Sequence, residues 1–141
     1  MRGRSGRLVL CAAPFFVLFG FGVVASEKAP DSYVKNMKET NAAAQALGKS
    51  LAAKDYEAIA KQAATLKTLF DNTLSFWEER KADDAIGFAK RGSRAAVDLE
   101  AAAKAKSADG VASAGQAVQS ICKTCHDVHR ERLPDGTSEI K

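Results

Sequence analysis

The stretch DYEAIAKQAATLKTLFDNTLSFW, residues 55–77, decides the fold, because its apolar residues recur every three or four positions. The residues on this repeat are Tyr56, Ile59, Ala63, Leu66, Phe70 and Leu74. Such spacing places them on one face of an α-helix that turns toward a core. The stretch therefore predicts a helix that starts near Asp55 and ends around Phe76–Trp77.

Three further stretches predict helices of similar length. They run from Asp31 or Ser32 to Ala53, from Asp83 or Asp84 to KSADG (106–110), and from after Gly110 to before LPDG (133–136). No segment favours a strand, and Pro30 and Pro134 bracket the part expected to fold. Short connections make neighbouring helices antiparallel. The predicted fold class is all-α, an antiparallel up-down-up-down four-helix bundle with a thin, alanine-rich core.

The first 25 residues are expected to be a signal peptide rather than part of the bundle. MRGRSGR carries three arginines and no acid, an apolar run follows from Leu8 to Ala25, and small residues precede a cleavage site after Ala25. The alternative is an uncleaved membrane anchor, but the apolar run has 18 residues, short of the ~20 that span a bilayer comfortably. The sequence thus predicts a signal peptide at 1–25, a domain at 26–141, periplasmic export and no stable membrane insertion.

Charge gives no reason to expect a nucleic-acid partner. The chain has 21 Lys+Arg against 17 Asp+Glu, and three of the arginines lie in the leader, which leaves 18 against 17. The remaining basic residues alternate with acids, as on a solvated helix face, and form no basic stripe with aromatic platforms.

Cysteine and histidine concentrate in SICKTCHDVHR, residues 120–130. Once Cys11 is removed with the leader, Cys122 and Cys125 are the two remaining thiols, and CKTCH has the C-x-x-C-H pattern of c-type haem attachment. Residues three and four apart share one face of a helix. Both thiols can therefore add to the vinyl groups of one haem, with His126 as the axial iron ligand. The predicted cofactor is one covalently bound haem c with its iron.

Other uses of the cluster are open but fit less well. A structural zinc site usually takes two separated ligand pairs, whereas these four residues lie on one short segment. A thioredoxin-like pair needs a strand before the motif. A plain disulfide is the third alternative in an oxidising compartment. His129 lies on the same helix as His126, and a surface or packing role is expected for it.

The chain at residues 31–132 resembles the class II cytochromes c, the cytochrome c′ family. CKTCHDVHR is similar to that family's C-K-x-C-H-D-x-x-R, with Arg130 on the usual arginine. YVKNMK (33–38) falls where the family's first helix carries an R-x-x-x-M-K-like stretch, although Tyr33 replaces the arginine. FWEERKADDAIGFA (76–89) is similar to the family's tryptophan and phenylalanine region, so Trp77 and Phe88 are implied haem-packing residues.

The resemblance implies a function that depends on Met37. In low-spin members a methionine at this position is the distal iron ligand, which implies an electron-transfer protein serving unidentified redox partners. In high-spin members the position is open, which implies binding of nitric oxide or carbon monoxide. Met37 could instead be a space-filling core residue. No acid pair or nucleophile–base pair is visible, so no enzymatic activity is expected. The resemblance also implies a homodimer as one assembly.

Overall fold

The computed structural model describes residues 26–141; the predicted leader, its cleavage site and Cys11 lie outside the described residues. The described helices include none that is long and apolar enough to span a membrane. The four helices are α1 (Asp31–Ala53), α2 (Tyr56–Arg80), α3 (Asp83–Lys104) and α4 (Ala108–His129). They pack against one another, which confirms the predicted four-helix bundle.

Contacts between helices show that they run antiparallel. Near the start of α1, the Asn36 Nδ2 atom donates to the Leu69 carbonyl, three turns before α2 ends, at 3.1 Å. At the far end of α4, His129 Nε2 lies 3.0 Å from the carboxylate of Asp84 in the first turn of α3. Each helix therefore returns alongside its predecessor, as the short connections require.

The helix ends have local causes. Lys54 and Lys81 adopt left-handed backbone conformations, both with φ of 55°, and end α1 and α2. Asp55 caps α2 by accepting a hydrogen bond from the Ala58 N–H at 3.0 Å, and Ser107 caps α4 by accepting from the Gly110 N–H at 3.2 Å.

Two predicted boundaries were wrong. The helix α2 continues to Arg80, because the polar last turn stays helical in solvent until the Lys81 turn. The helix α4 begins at Ala108 rather than after Gly110, because Ser107 supplies the cap.

A small antiparallel sheet at one end of the bundle contradicts the expectation of no strands. It contains β1 (Glu27–Lys28), β2 (Arg130–Arg132) and β3 (Ser138–Ile140), in the order β1-β3-β2. The turn between β2 and β3 uses Gly136 at φ 86°. Strands of two or three residues are too short to show a period. The expected bracketing by Pro30 and Pro134 was also wrong, since β1 precedes the first proline and β3 follows the second.

The buried apolar residues form two clusters. The larger one fills the bundle and includes Leu47, Ile59, Leu66, Leu99 and Val118, each at most 1% exposed. The smaller one lies under the sheet and joins Ala29, Trp77, Ala85 and Ile140. Residues near both ends of the described chain therefore form a second, smaller core together with α2 and α3.

The face that α1 presents to the core is rotated from the predicted one. Its buried residues are Asn36, Thr40, Ala43 and Leu47. Of the predicted apolar face, Leu47 is buried, whereas Val34, Met37, Ala44 and Leu51 are partly buried. The reason is that α1 packs closely on α2 but stands apart from α4 over most of its length. The gap between α1 and α4 leaves two cavities, one toward each end of the bundle.

Candidate cofactor site

The cavity nearer the sheet collects the residues that the sequence singled out. Its volume is about 330 Å³, within the range of about 300–1,000 Å³ of small-molecule sites. Met37 lines it from α1, and Cys122, Cys125 and His126 line it from α4. Residues some ninety positions apart in the chain thus line one cavity.

Helical geometry explains how α4 supplies three of these side chains. The helix is regular through His129, so residues three and four apart stand on one face. Cys122, Cys125 and His126 are all partly buried, whereas Lys123 and Thr124 between them are exposed. The folded chain therefore has Cys122, Cys125 and His126 on one face of α4, as the spacing of the motif predicts.

Apolar and aromatic side chains form a large part of the cavity wall. Phe70 on α2 and Phe88 on α3 line it, together with Ala44, Ala89 and Ile121. Gly92 on α3 makes room for one of these rings, because a Cβ there would overlap the Phe70 ring. A flat, apolar guest would contact carbon atoms on four helices.

Burial keeps the two thiols protonated at neutral pH. Burial raises the pKa of the Cys122 thiol. It raises the pKa of Cys125 to about 11, with Cys122 and the Asp84 carboxylate adding to the effect. The thiolate is the nucleophile and the redox-active form of cysteine. These protonated thiols are therefore poorly suited to thiol–disulfide exchange.

The imidazole of His126 is held in its neutral form. Burial lowers its pKa, and the nearby Arg130 guanidinium lowers it further, against a smaller opposite effect of Asp127. A neutral imidazole has a free lone pair and can ligate a metal.

Two of the residues discussed from sequence lie outside the cavity wall. Trp77 is 3% exposed and belongs to the cluster under the sheet. The His129 ring lies 4.9 Å from the Trp77 ring and 6.2 Å from that of Phe88, between centroids. The His129 Nε2 atom lies 3.0 Å from the Asp84 carboxylate but makes no hydrogen bond. His129 packs against these rings and does not line the cavity with Cys122, Cys125 and His126.

Apart from Arg130, sequence reasoning did not identify the polar part of the wall. Thr40 and Thr73 line the cavity, and so do Lys123 and Arg130 at its α4 side. Tyr33 also lines it, with its ring stacked on Phe76 at 3.8 Å between centroids. The signal available was the i, i+4 spacing of Tyr33, Met37 and Asn41, which places all three on one stripe of α1.

Comparisons with known proteins add no relative. The chain matches no protein-family model, no curated protein and no solved structure. The functional conclusion is therefore built on the residues and the geometry of this chain.

Proposed function

We propose that the protein is an exported monohaem c-type cytochrome that transfers electrons and is not an enzyme. The observation that carries the proposal is that Met37, Cys122, Cys125 and His126 line one cavity. The chemistry of this set fits a haem, since it combines two thiols for attachment, a neutral imidazole and a thioether. The bound group would supply a one-electron ferric–ferrous couple.

The two cysteines would attach the haem by thioether bonds. Each thiol would add across a vinyl double bond: the sulfur would bond to one carbon, the proton would go to the other, and no oxidant would be consumed. The thiols of Cys122 and Cys125 would supply the sulfur and the proton of this addition. Covalent attachment suits a bundle in which many of the buried residues are alanines.

The axial positions would be filled from α4 and α1. His126 would be the proximal ligand, and Met37 the distal one. A methionine opposite a histidine raises the reduction potential and occupies the position that small ligands would need. The Arg130 and Lys123 side chains, which line the same cavity, would meet the carboxylate groups of the haem.

Export to the periplasm belongs to the same proposal. Covalent attachment keeps the cofactor on the chain outside the cytoplasm, and the basic and apolar leader favours secretion. The partners would be redox proteins, with a homodimer as a further assembly.

The proposal is tested by expressing the full chain in a host that matures c-type cytochromes. We expect a haem absorption band that stays with the polypeptide after extraction with acid and organic solvent. Replacing both Cys122 and Cys125 by serine should release the haem under the same treatment. Wild-type protein that loses its haem, or carries none, would refute covalent attachment.

The distal ligand is tested by Met37→Ala. We expect the wild-type spectrum to be low-spin with a far-red methionine–iron band, and the variant to lose that band and become high-spin. The readout is the absorption spectrum of the ferric protein. A suitable control is Val34→Ala, since Val34 lies on the same helix outside the cavity wall and should leave the band in place. A high-spin wild type would instead favour a protein that binds nitric oxide or carbon monoxide.

A further inference from the structure

The indole of Trp77 carries a buried hydrogen-bond donor that has no acceptor. Trp77 is 3% exposed, and its Nε1 atom is enclosed and makes no hydrogen bond within residues 26–141. Because the atom is enclosed, bulk solvent does not satisfy it either. An enclosed polar group without a partner costs free energy, and each one in a folded protein requires an explanation.

The Tyr33 side chain stands beside this indole and reaches the cavity. Tyr33 lines the cavity from α1, and its ring meets the Trp77 ring edge-on at 5.9 Å between centroids. Burial raises the pKa of Tyr33 to about 12, with Cys125 adding to the rise and Trp77 opposing it. The Tyr33 hydroxyl is therefore protonated at neutral pH and lies near both the indole and the proposed attachment residue Cys125.

Packing fixes where the Tyr33 hydroxyl can lie. The Tyr33 ring stacks on Phe76 at 3.8 Å between centroids, with an angle of 24° between the ring planes. The Arg80 guanidinium lies over the same Phe76 ring, 3.9 Å from its centroid. The Tyr33 ring cannot swing out into solvent without losing its contacts with Phe76 and Trp77. Its hydroxyl is therefore held in place before any guest binds.

The Tyr33 hydroxyl also keeps a proton that it can donate. A hydroxyl can accept a hydrogen bond through its oxygen and donate one through its proton. The oxygen lies near the Trp77 indole, and within residues 26–141 the proton is donated to no other group. The other hydroxyls of the wall differ, because Thr40 and Thr73 each donate to a backbone carbonyl of their own helix at 2.8 Å.

The proposed guest carries acceptors that match this donor. A haem has two carboxylate groups at its rim, whereas its ring nitrogens are bound to iron. Each haem ring that carries a vinyl group is next to a ring that carries a carboxylate chain, so one such chain would start close to the ring that Cys125 attaches. Hydrogen bonds to a charged acceptor are stronger than those between neutral groups.

We propose that the Tyr33 hydroxyl, with the Trp77 N–H behind it, is a hydrogen-bond donor that positions one haem carboxylate. The inference rests on the proposed haem. The carboxylate would accept from the Tyr33 hydroxyl, and the Tyr33 oxygen would accept from the Trp77 indole, which gives the buried N–H its acceptor. Arg130 and Lys123 would meet the carboxylates from α4, and Tyr33 adds a neutral donor from α1.

The test compares the holoprotein of the wild type with Tyr33→Phe, which keeps the stacked ring and removes the hydroxyl. We expect the carboxylate bands in the infrared difference spectrum between ferric and ferrous protein to shift, because one carboxylate loses its donor. We also expect the reduction potential to fall, because a less compensated negative charge favours ferric iron. Trp77→Phe should move both readouts in the same direction and by less, since it removes the hydrogen bond behind Tyr33.

Tyr56→Phe is the matched control, because Tyr56 is a partly buried tyrosine that lines the other cavity. It should leave the carboxylate bands and the reduction potential at their wild-type values.

Unchanged carboxylate bands in Tyr33→Phe would overturn the inference even if the potential moves, because packing alone can move a potential. A shift of the far-red methionine–iron band with unchanged carboxylate bands would also overturn it, and would assign the hydroxyl to the Met37 sulfur. A wild-type chain that carries no haem absorption band would instead overturn the proposed function, and the inference with it.

Discussion

At the scale of single residues, the cavity depends on close contacts that the amino-acid types in the sequence do not reveal. Gly92 is buried on α3 against the Phe70 ring, which in turn lines the cavity. Glycine is a poor helix former, so its presence here has a steric cause. The missing side chain allows the ring to lie against the α3 backbone.

We therefore expect Gly92→Ala to destabilise the fold by about 1–3 kcal/mol, the usual cost of overpacking a core. Gly48→Ala is the matched control, because a Cβ at Gly48 meets nothing within 4 Å. That variant should gain up to about 1 kcal/mol from helix propensity. Urea denaturation followed by circular dichroism measures both, and a gain at Gly92 equal to that at Gly48 would contradict the steric role.

At the scale of helices, a buried polar network holds α1 against α2. Asn36 Nδ2 donates to the Leu69 carbonyl at 3.1 Å and to the Thr73 hydroxyl at 3.0 Å, and Asn36 Oδ1 accepts from Asn72 Nδ2 at 3.2 Å. Thr73 lines the cavity. The network therefore sets the position of the helix that carries Met37.

Asn36→Ala removes all three hydrogen bonds between the helices, and we expect a loss of about 1–3 kcal/mol in the free energy of unfolding. Asn72→Ala removes one of them at an exposed position and should cost less than about 1 kcal/mol. The two denaturation midpoints give the comparison. Equal losses would show that the buried amide is not the centre of the network.

At the scale of the whole molecule, the sheet ties the two ends of the described chain to the cavity end of the bundle. The strand β3 lies between β1 and β2, and Arg130, the first residue of β2, lines the cavity. Ile140 on β3 is 5% exposed and packs in the cluster with Trp77. The C-terminal segment, for which the sequence suggested no role, is thus part of the folded structure.

Ile140→Ala should destabilise the protein by about 2 kcal/mol, the lower end for a buried aliphatic truncation because a terminal strand can relax. Ser138→Ala, an exposed change in the same strand, should stay within about 0.5 kcal/mol. Thermal unfolding of the holoprotein measures both. An Ile140→Ala variant that unfolds at the wild-type temperature would mean that the sheet does not stabilise the bundle.

The sequence by itself determined the four helices and the common face of Cys122, Cys125 and His126. Both depend on local spacing and caps, which act within a few turns of one helix. Only the tertiary structure decided that Met37 shares a cavity with His126, that α1 turns Asn36 and Thr40 inward, and that strands form at both ends. These features arise because α1 and α4 stand apart and because strands of three residues are stable only when paired with distant segments, and neither condition leaves a periodic pattern in the chain.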